Sequence, residues 1–173
     1  MALIVEDGSM VSGAESYATT AQADTYFSNI GTTPWAALTT AEKEQALRRA
    51  TNFMKQTFRS RWNGYRKTAT QALDWPRTEC PRPDELYGES TEAWIEDTVV
   101  PVEVREACIE LAYRAASGNL LEDLGRAVAS ESVSGAVAVS YVNGGSRQTT
   151  YEAVNRLLAP LLKASGGIPM ARA

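Results

Sequence analysis

The stretch TTAEKEQALRRATNFMKQTF (Thr39–Phe58) decides the fold. Its first threonine can take a bond from the amide three residues on, and the Glu42 carboxylate can return one to the threonine's own amide. That reciprocal pair, a capping box, opens a helix. Ala46, Leu47, Ala50, Phe53, Met54 and Phe58 then recur at steps of three and four and form one apolar stripe, while Lys43, Arg48, Arg49 and Lys55 fall mostly away from it. Such a stripe has to be buried against other elements, so the flanking sequence is expected to supply helices of the same kind.

Upstream, Thr19 and Gln22 make a second capping box, after which Ala23, Tyr26, Phe27 and Ile30 keep helical spacing until Gly31, a residue suited to the left-handed end of a helix. Thr33-Pro34-Trp35-Ala36-Ala37-Leu38 is expected as a single turn with proline at its start. Downstream, Pro101 introduces a helix that buries Val104, Ala107, Cys108, Leu111, Ala112 and Ala115 and stops at Gly118-Asn119. Between Ser130 and Val142 the period changes to two, with Val137, Val139 and Tyr141 on one face, which predicts a β-hairpin. Thr149 and Glu152 make a third capping box before Val154, Leu157, Leu158, Leu161 and Leu162, with Pro160 kinking that last helix. The expected architecture is mainly α, a bundle of about four helices with a small β-hairpin and a long loop-rich insertion. One domain is expected over residues 1–163, with an extended N-terminal arm at 1–15 and a flexible tail at 164–173.

At 173 residues the chain can bury a sizeable core without metal or disulfide support. Cys80 and Cys108 show no CxxC spacing, and two thiols are too few for a disulfide framework, so a reducing compartment is expected. The N-terminal residues lack the basic leader and long apolar core of a signal peptide, and no run approaches the ~20 apolar residues of a membrane span. Net charge is −4, which disfavours a general nucleic-acid coat, but the charge is unevenly spread. Residues 43–67 carry eight bases against one acid, a local +7, whereas residues 79–103 carry eight acids against one base, a local −7. Either these are two solvated faces of one domain, or the basic face of one copy meets the acidic face of the next.

The absence of histidine rules out imidazole-based triads, histidine-containing zinc sites and imidazole proton shuttles. Two distant cysteines cannot hold a structural zinc, and no GxxxxGK[ST] or strand-borne GxGxxG is present. Gly144-Gly145-Ser146-Arg147 follows a strand pattern and is read as a turn. The adjacent carboxylates Asp84-Glu85 and Glu96-Asp97 point apart and lack EF-hand spacing. Neither an enzyme nor a cofactor is expected.

Two features of the loop-rich stretch bear on partners. Arg59-Ser60-Arg61-Trp62-Asn63-Gly64-Tyr65-Arg66-Lys67 interleaves cations with aromatic rings, the pairing that single-strand sites use for backbone attraction and base stacking. Trp62 and Tyr65 fit equally well as a small core under the loop, with arginine stems lying along them, and structure or protein contact is preferred over nucleic acid here. In Gln71-Ala72-Leu73-Asp74-Trp75-Pro76-Arg77 the proline forbids a helix and fixes a bend carrying a large apolar ring.

Taken in order, Ser16 to Phe27 (SYATTAQADTYF), Pro34-Trp35-Ala36-Ala37-Leu38, Lys43 to Thr51 (KEQALRRAT), Trp62-Asn63-Gly64 and Leu73-Asp74-Trp75-Pro76-Arg77 resemble tailed-phage and prophage neck proteins of the head-tail connector or adaptor type, some of them labelled DnaT-like single-strand DNA binders. The resemblance spans about residues 1–163. It implies a virion protein, made in the bacterial cytoplasm, that forms a ring, commonly of twelve copies, on the portal protein. Such a ring extends the channel for passing double-stranded DNA and meets a downstream neck or tail-completion protein, with no membrane partner. On that reading Arg59, Arg61, Arg66, Arg77, Asp84, Glu85, Glu89 and Glu92 are intersubunit or partner contacts. Trp62, Trp75 and Pro76 anchor the loop, Trp75 packs it onto the Lys43 to Phe58 helix, and Arg77 projects toward a carboxylate of the acidic loop or of the next subunit. The alternative is a DnaT-like single-strand DNA-binding accessory protein acting through Arg59 to Lys67. The long stretch from Cys80 to Trp94 has no counterpart in the resemblance, and its partner is left open.

Overall fold

The computed structural model of the chain describes residues 2–83, 94–121, 128–133, 137–141 and 149–163. Helix α1 (Thr20–Asn29) leads through a 3₁₀ turn (Thr33–Ala37) to α2 (Thr40–Phe58). A two-residue strand pair follows, β1 (Tyr65–Arg66) antiparallel to β2 (Arg77–Thr78), then α3 (Val102–Ser117). A second antiparallel pair, β3 (Val128–Val133) with β4 (Val137–Tyr141), precedes α4 (Glu152–Leu158) and a closing 3₁₀ turn (Ala159–Leu161). The expected class is therefore the observed one: mainly α with a small hairpin.

The first two helices begin where the sequence places them. Thr19 and Thr39 are the N-caps, each accepting from the amide three residues on, with Gln22 and Glu42 returning the bond. Gly31 has φ +75°, the left-handed conformation expected beyond Ile30. The third capping box does not form. Helix α4 starts at Glu152 with Tyr151 at its N-cap and no side-chain cap. Tyr151 is held elsewhere: its ring meets Phe53 edge-on at 5.4 Å and its hydroxyl donates to the Leu120 carbonyl at 3.3 Å. Those contacts fix its backbone at ψ 83°, outside helical geometry, so Thr149 lies too far back to cap.

The core lies where α2 packs on α3, with α4 also packed on α3. All six stripe residues of α2 are buried, as are the six predicted for α3, together with Thr51 and Ile109. Ala107, Ala112 and Ala115 keep the α3 face low, which lets neighbouring helices approach closely. Each fully buried Leu47, Met54 or Leu111 contributes about 1.5–3 kcal/mol through apolar burial. Between α2 and α3 the Cys108 thiol faces the hydroxyls of Thr51 at 3.3 Å and Ser16 at 3.9 Å, and burial pushes its pKa up. Among the described residues no helix is long and apolar enough to cross a membrane.

The N-terminal residues do not extend as an arm. Val5 bridges Ser16, the Glu6 amide donates to Ser16 O at 2.9 Å, and the Glu15 amide donates to Ile4 O at 2.7 Å, so the segment doubles back on itself. Arg48 of α2 ties it down through Glu15 at 2.9 Å. Gly8, at φ +108°, passes so close to the chain before α3 that an added Cβ would meet Thr98 O at 1.9 Å. The expected tail at 164–173 lies outside the described residues.

Candidate nucleic-acid interface

Past Phe58 the chain leaves α2 through a turn and runs antiparallel to residues 161–163. The Lys163 amide donates to Arg61 O at 2.7 Å, Trp62 bridges Leu162, and the Asn63 amide donates to Leu161 O at 3.0 Å. Alternation in this extended piece separates the side chains. Trp62 turns inward and is 1% exposed, with its ring between Phe58 at 5.9 Å and Trp75 at 5.7 Å. Arg61 stays outside with its guanidinium over the Phe58 ring at 5.6 Å. The loop is thus anchored on the last turn of α2 through Trp62, with Trp75 completely buried behind it and the Trp75–Pro76 peptide cis.

Gly64 then makes a sharp corner at φ +63°. A Cβ there would meet Thr78 O at 2.3 Å and Cys80 N at 2.9 Å, so only glycine allows β1 to lie this close to β2. The corner presents Tyr65 to solvent at 68% exposure. The sequence left Trp62 and Tyr65 equivalent, and the structure separates them into a core ring and a surface ring.

Arg77 does not project toward a carboxylate. It is 6% exposed and donates to three main-chain carbonyls: Asn63 and Gly64, each at 2.7 Å, and Asp74 at 3.2 Å. The bend and the Gly64 corner leave those oxygens facing inward without strand partners, and the guanidinium fork satisfies them. Burial lowers its pKa, with the Asp74 charge opposing the shift. Gln71, unremarked in the sequence, does the same on the other side of the bend, donating to Leu73 O at 2.9 Å and Pro76 O at 3.0 Å. No sequence signal marks either role, because the acceptors are backbone atoms.

The other predicted contacts divide. Arg59 is half exposed and pairs at 2.8 Å with Asp74, which is buried. Arg66 faces inward and donates to Gln71 O. Lys67 pairs with Asp97 at 2.9 Å. Lys43 and Arg48, also in the basic stretch, pair with Asp24 and Glu15, each at 2.9 Å. Arg49, Lys55, Arg61 and Lys163 keep their charge without a carboxylate partner among the described residues. Asp84, Glu85, Glu89 and Glu92 lie outside the described residues. What the fold brings together is therefore a corner carrying Arg59, Arg61, Tyr65 and Lys163 around the packed rings of Phe58, Trp62 and Trp75. It can attract a phosphate backbone and offer an open ring to a base.

A family described as "Putative DnaT-like ssDNA binding protein" matches residues 1–173. The chain belongs to this family. No curated protein and no solved structure matches it. The corner just described falls within the stretch the sequence marked for nucleic acid. Lys163 was missed because it lies some hundred residues away in the chain, and only the pairing of residues 61–63 with 161–163 brings it in.

Proposed function

We propose that this protein binds single-stranded DNA through the corner formed by Arg59, Arg61, Tyr65 and Lys163. The observation that carries the reading is the 68% exposure of Tyr65, a ring held outward by the Gly64 corner in a site where Arg61 and Lys163 have no carboxylate partner among the described residues. A base stacks on Tyr65 while Arg61 and Lys163 meet flanking phosphates, and the pairing of Arg59 with Asp74 positions that arginine. Binding is not specific in sequence, since stacking and charge read no base edge. No bond is made or broken, and no cofactor takes part.

The test is an anisotropy titration of labelled oligothymidine at several salt concentrations. With the three cations engaged, the logarithm of affinity falls with the logarithm of salt at a slope of about −2. Tyr65→Ala weakens binding by about 1–3 kcal/mol without lowering the melting temperature. Absence of binding by the wild-type protein at low salt overturns the proposal.

A second reading, a neck adaptor assembling as a ring on the portal in the virion, is favoured by the order of the sequence motifs and by one observation. The β3–β4 sheet has two strands and no third among the described residues, and an isolated hairpin is marginal in water, so pairing with another copy would stabilise it. Rings in negative-stain images, with or without portal, support that reading, and a monomer indifferent to portal excludes it.

A further inference from the structure

We infer that the single strand does not stop at the Tyr65 corner but continues along a groove on α2 from Arg61 to Arg49. This rests on the single-strand reading and extends it. Two neighbouring hollows of about 190 and 210 Å³ on this side of the helix share Phe53 and the exposed Leu121 in their linings. Arg49, Asn52, Phe53 and Gln56 fall at steps of three, four and seven, so they share one helix face, and Arg61 closes the far end.

Charge picks the occupant. In a chain with 21 acidic residues, neither hollow is lined by a carboxylate among the described residues, while each contains an arginine. The two larger hollows, beside Trp35 and beside Val102, include Asp24 and Glu106 respectively. Arg49 is exposed and has no ion pair among the described residues. Arg49 to Phe58 spans about 14 Å at helical rise, with Arg61 in the turn just beyond, room for about three to five phosphates of one strand. Between these charged ends the walls supply the amides of Asn52, Gln56 and Asn155, which can donate to and accept from base edges that an unpaired strand leaves free. Each hollow is smaller than a site built to enclose a small molecule, as suits a track followed by a chain.

The experiment compares the full chain with three groove and control variants and with Tyr65→Ala, using labelled oligothymidines of about 6 and about 12 nucleotides. Arg49→Gln reduces the magnitude of the salt slope by about 0.7 on the longer strand, one phosphate contact fewer, and leaves the shorter strand's slope nearly unchanged. Gln56→Glu places a carboxylate in the groove and weakens the longer strand at low salt, a loss that fades as salt rises. Arg105→Gln, on the α1–α3 side, makes the same change in net charge and leaves the slope alone. The groove and control positions lie on outer helix surfaces, and thermal melts confirm that each variant folds. If Arg49→Gln behaves like Arg105→Gln while Tyr65→Ala still weakens binding, the groove is not the track and the Tyr65 corner stands. If the wild type binds neither oligonucleotide, both proposals are overturned.

Discussion

The Tyr17 hydroxyl accepts a hydrogen bond from the Asp74 amide at 2.9 Å, joining residues 57 apart in the chain. A second amide, that of Trp75, reaches the same oxygen at 3.3 Å. One phenol thus holds the start of α1 to the bend that carries Trp75 and Pro76. In the sequence these were two separate motifs, and the bond explains why both are needed. Replacing Tyr17 by phenylalanine keeps the ring and strands two buried amides. We expect Tyr17→Phe to lose about 1–3 kcal/mol in urea unfolding with an unchanged m-value. An unaltered midpoint would mean that the amides find other partners.

Arg77 is a structural residue. Truncating it strips donors from three inward-facing carbonyls, so Arg77→Ala should cost about 3 kcal/mol or more. Arg77→Lys recovers little, because an ammonium cannot span the fork. Thermal melts of the two variants check this, and a melting point within a degree of wild type for Arg77→Ala would contradict it.

Gly64→Ala is expected to destabilise by about 1 kcal/mol or more, since the residue sits at positive φ and its Cβ would press on Thr78 O and Cys80 N. Because the same corner presents Tyr65, binding to oligothymidine should weaken beyond what the loss of folded protein explains. Anisotropy measured well below the melting point separates the two effects.

Stability should be flat between about pH 5 and pH 8, because the chain has no histidine to titrate there. The Thr39 hydroxyl holds the Glu42 carboxyl below its ordinary range, and Arg48 does the same for Glu15. For these depressed groups the stabilisation is present above the unfolded carboxylate value of about 4.3 and is lost as pH falls through the folded values. On the alkaline side, burial and the hydrogen bond to Glu110 leave Tyr26 pushed up to about 12, and burial also raises Tyr17 and Cys108. For these raised groups the stabilisation is complete below their unfolded values and is lost as pH rises through the folded ones. Urea midpoints across pH 3–11 trace both limbs, and a step near neutrality would contradict the assignment.

The legibility of the fold in the sequence followed the range of the interactions. Capping boxes at Thr19 and Thr39 could be read because donor and acceptor lie three residues apart. The one at Thr149 failed because Phe53 and Leu120, distant in the chain, claim Tyr151 first. The α2 and α3 stripes reported burial correctly, since periodicity encodes which face is covered, whereas Ile30 at the end of the α1 stripe is 53% exposed. The loop defied the same treatment. Nothing in Arg59 to Lys67 says that Trp62 faces in and Tyr65 out, a split set by alternation and by the Gly64 corner. Nor does Arg77 differ on paper from an interface arginine, because its partners are carbonyls that every residue possesses.

The pairing of residues 61–63 with 161–163 makes the final helical turn a wall of the basic corner. A handle fused after Ala173 is ten residues of sequence from Lys163, and an acidic epitope there brings carboxylates that can compete with DNA for the cations of the proposed site. Measurements of affinity therefore belong on protein tagged at its other end or with the tag removed.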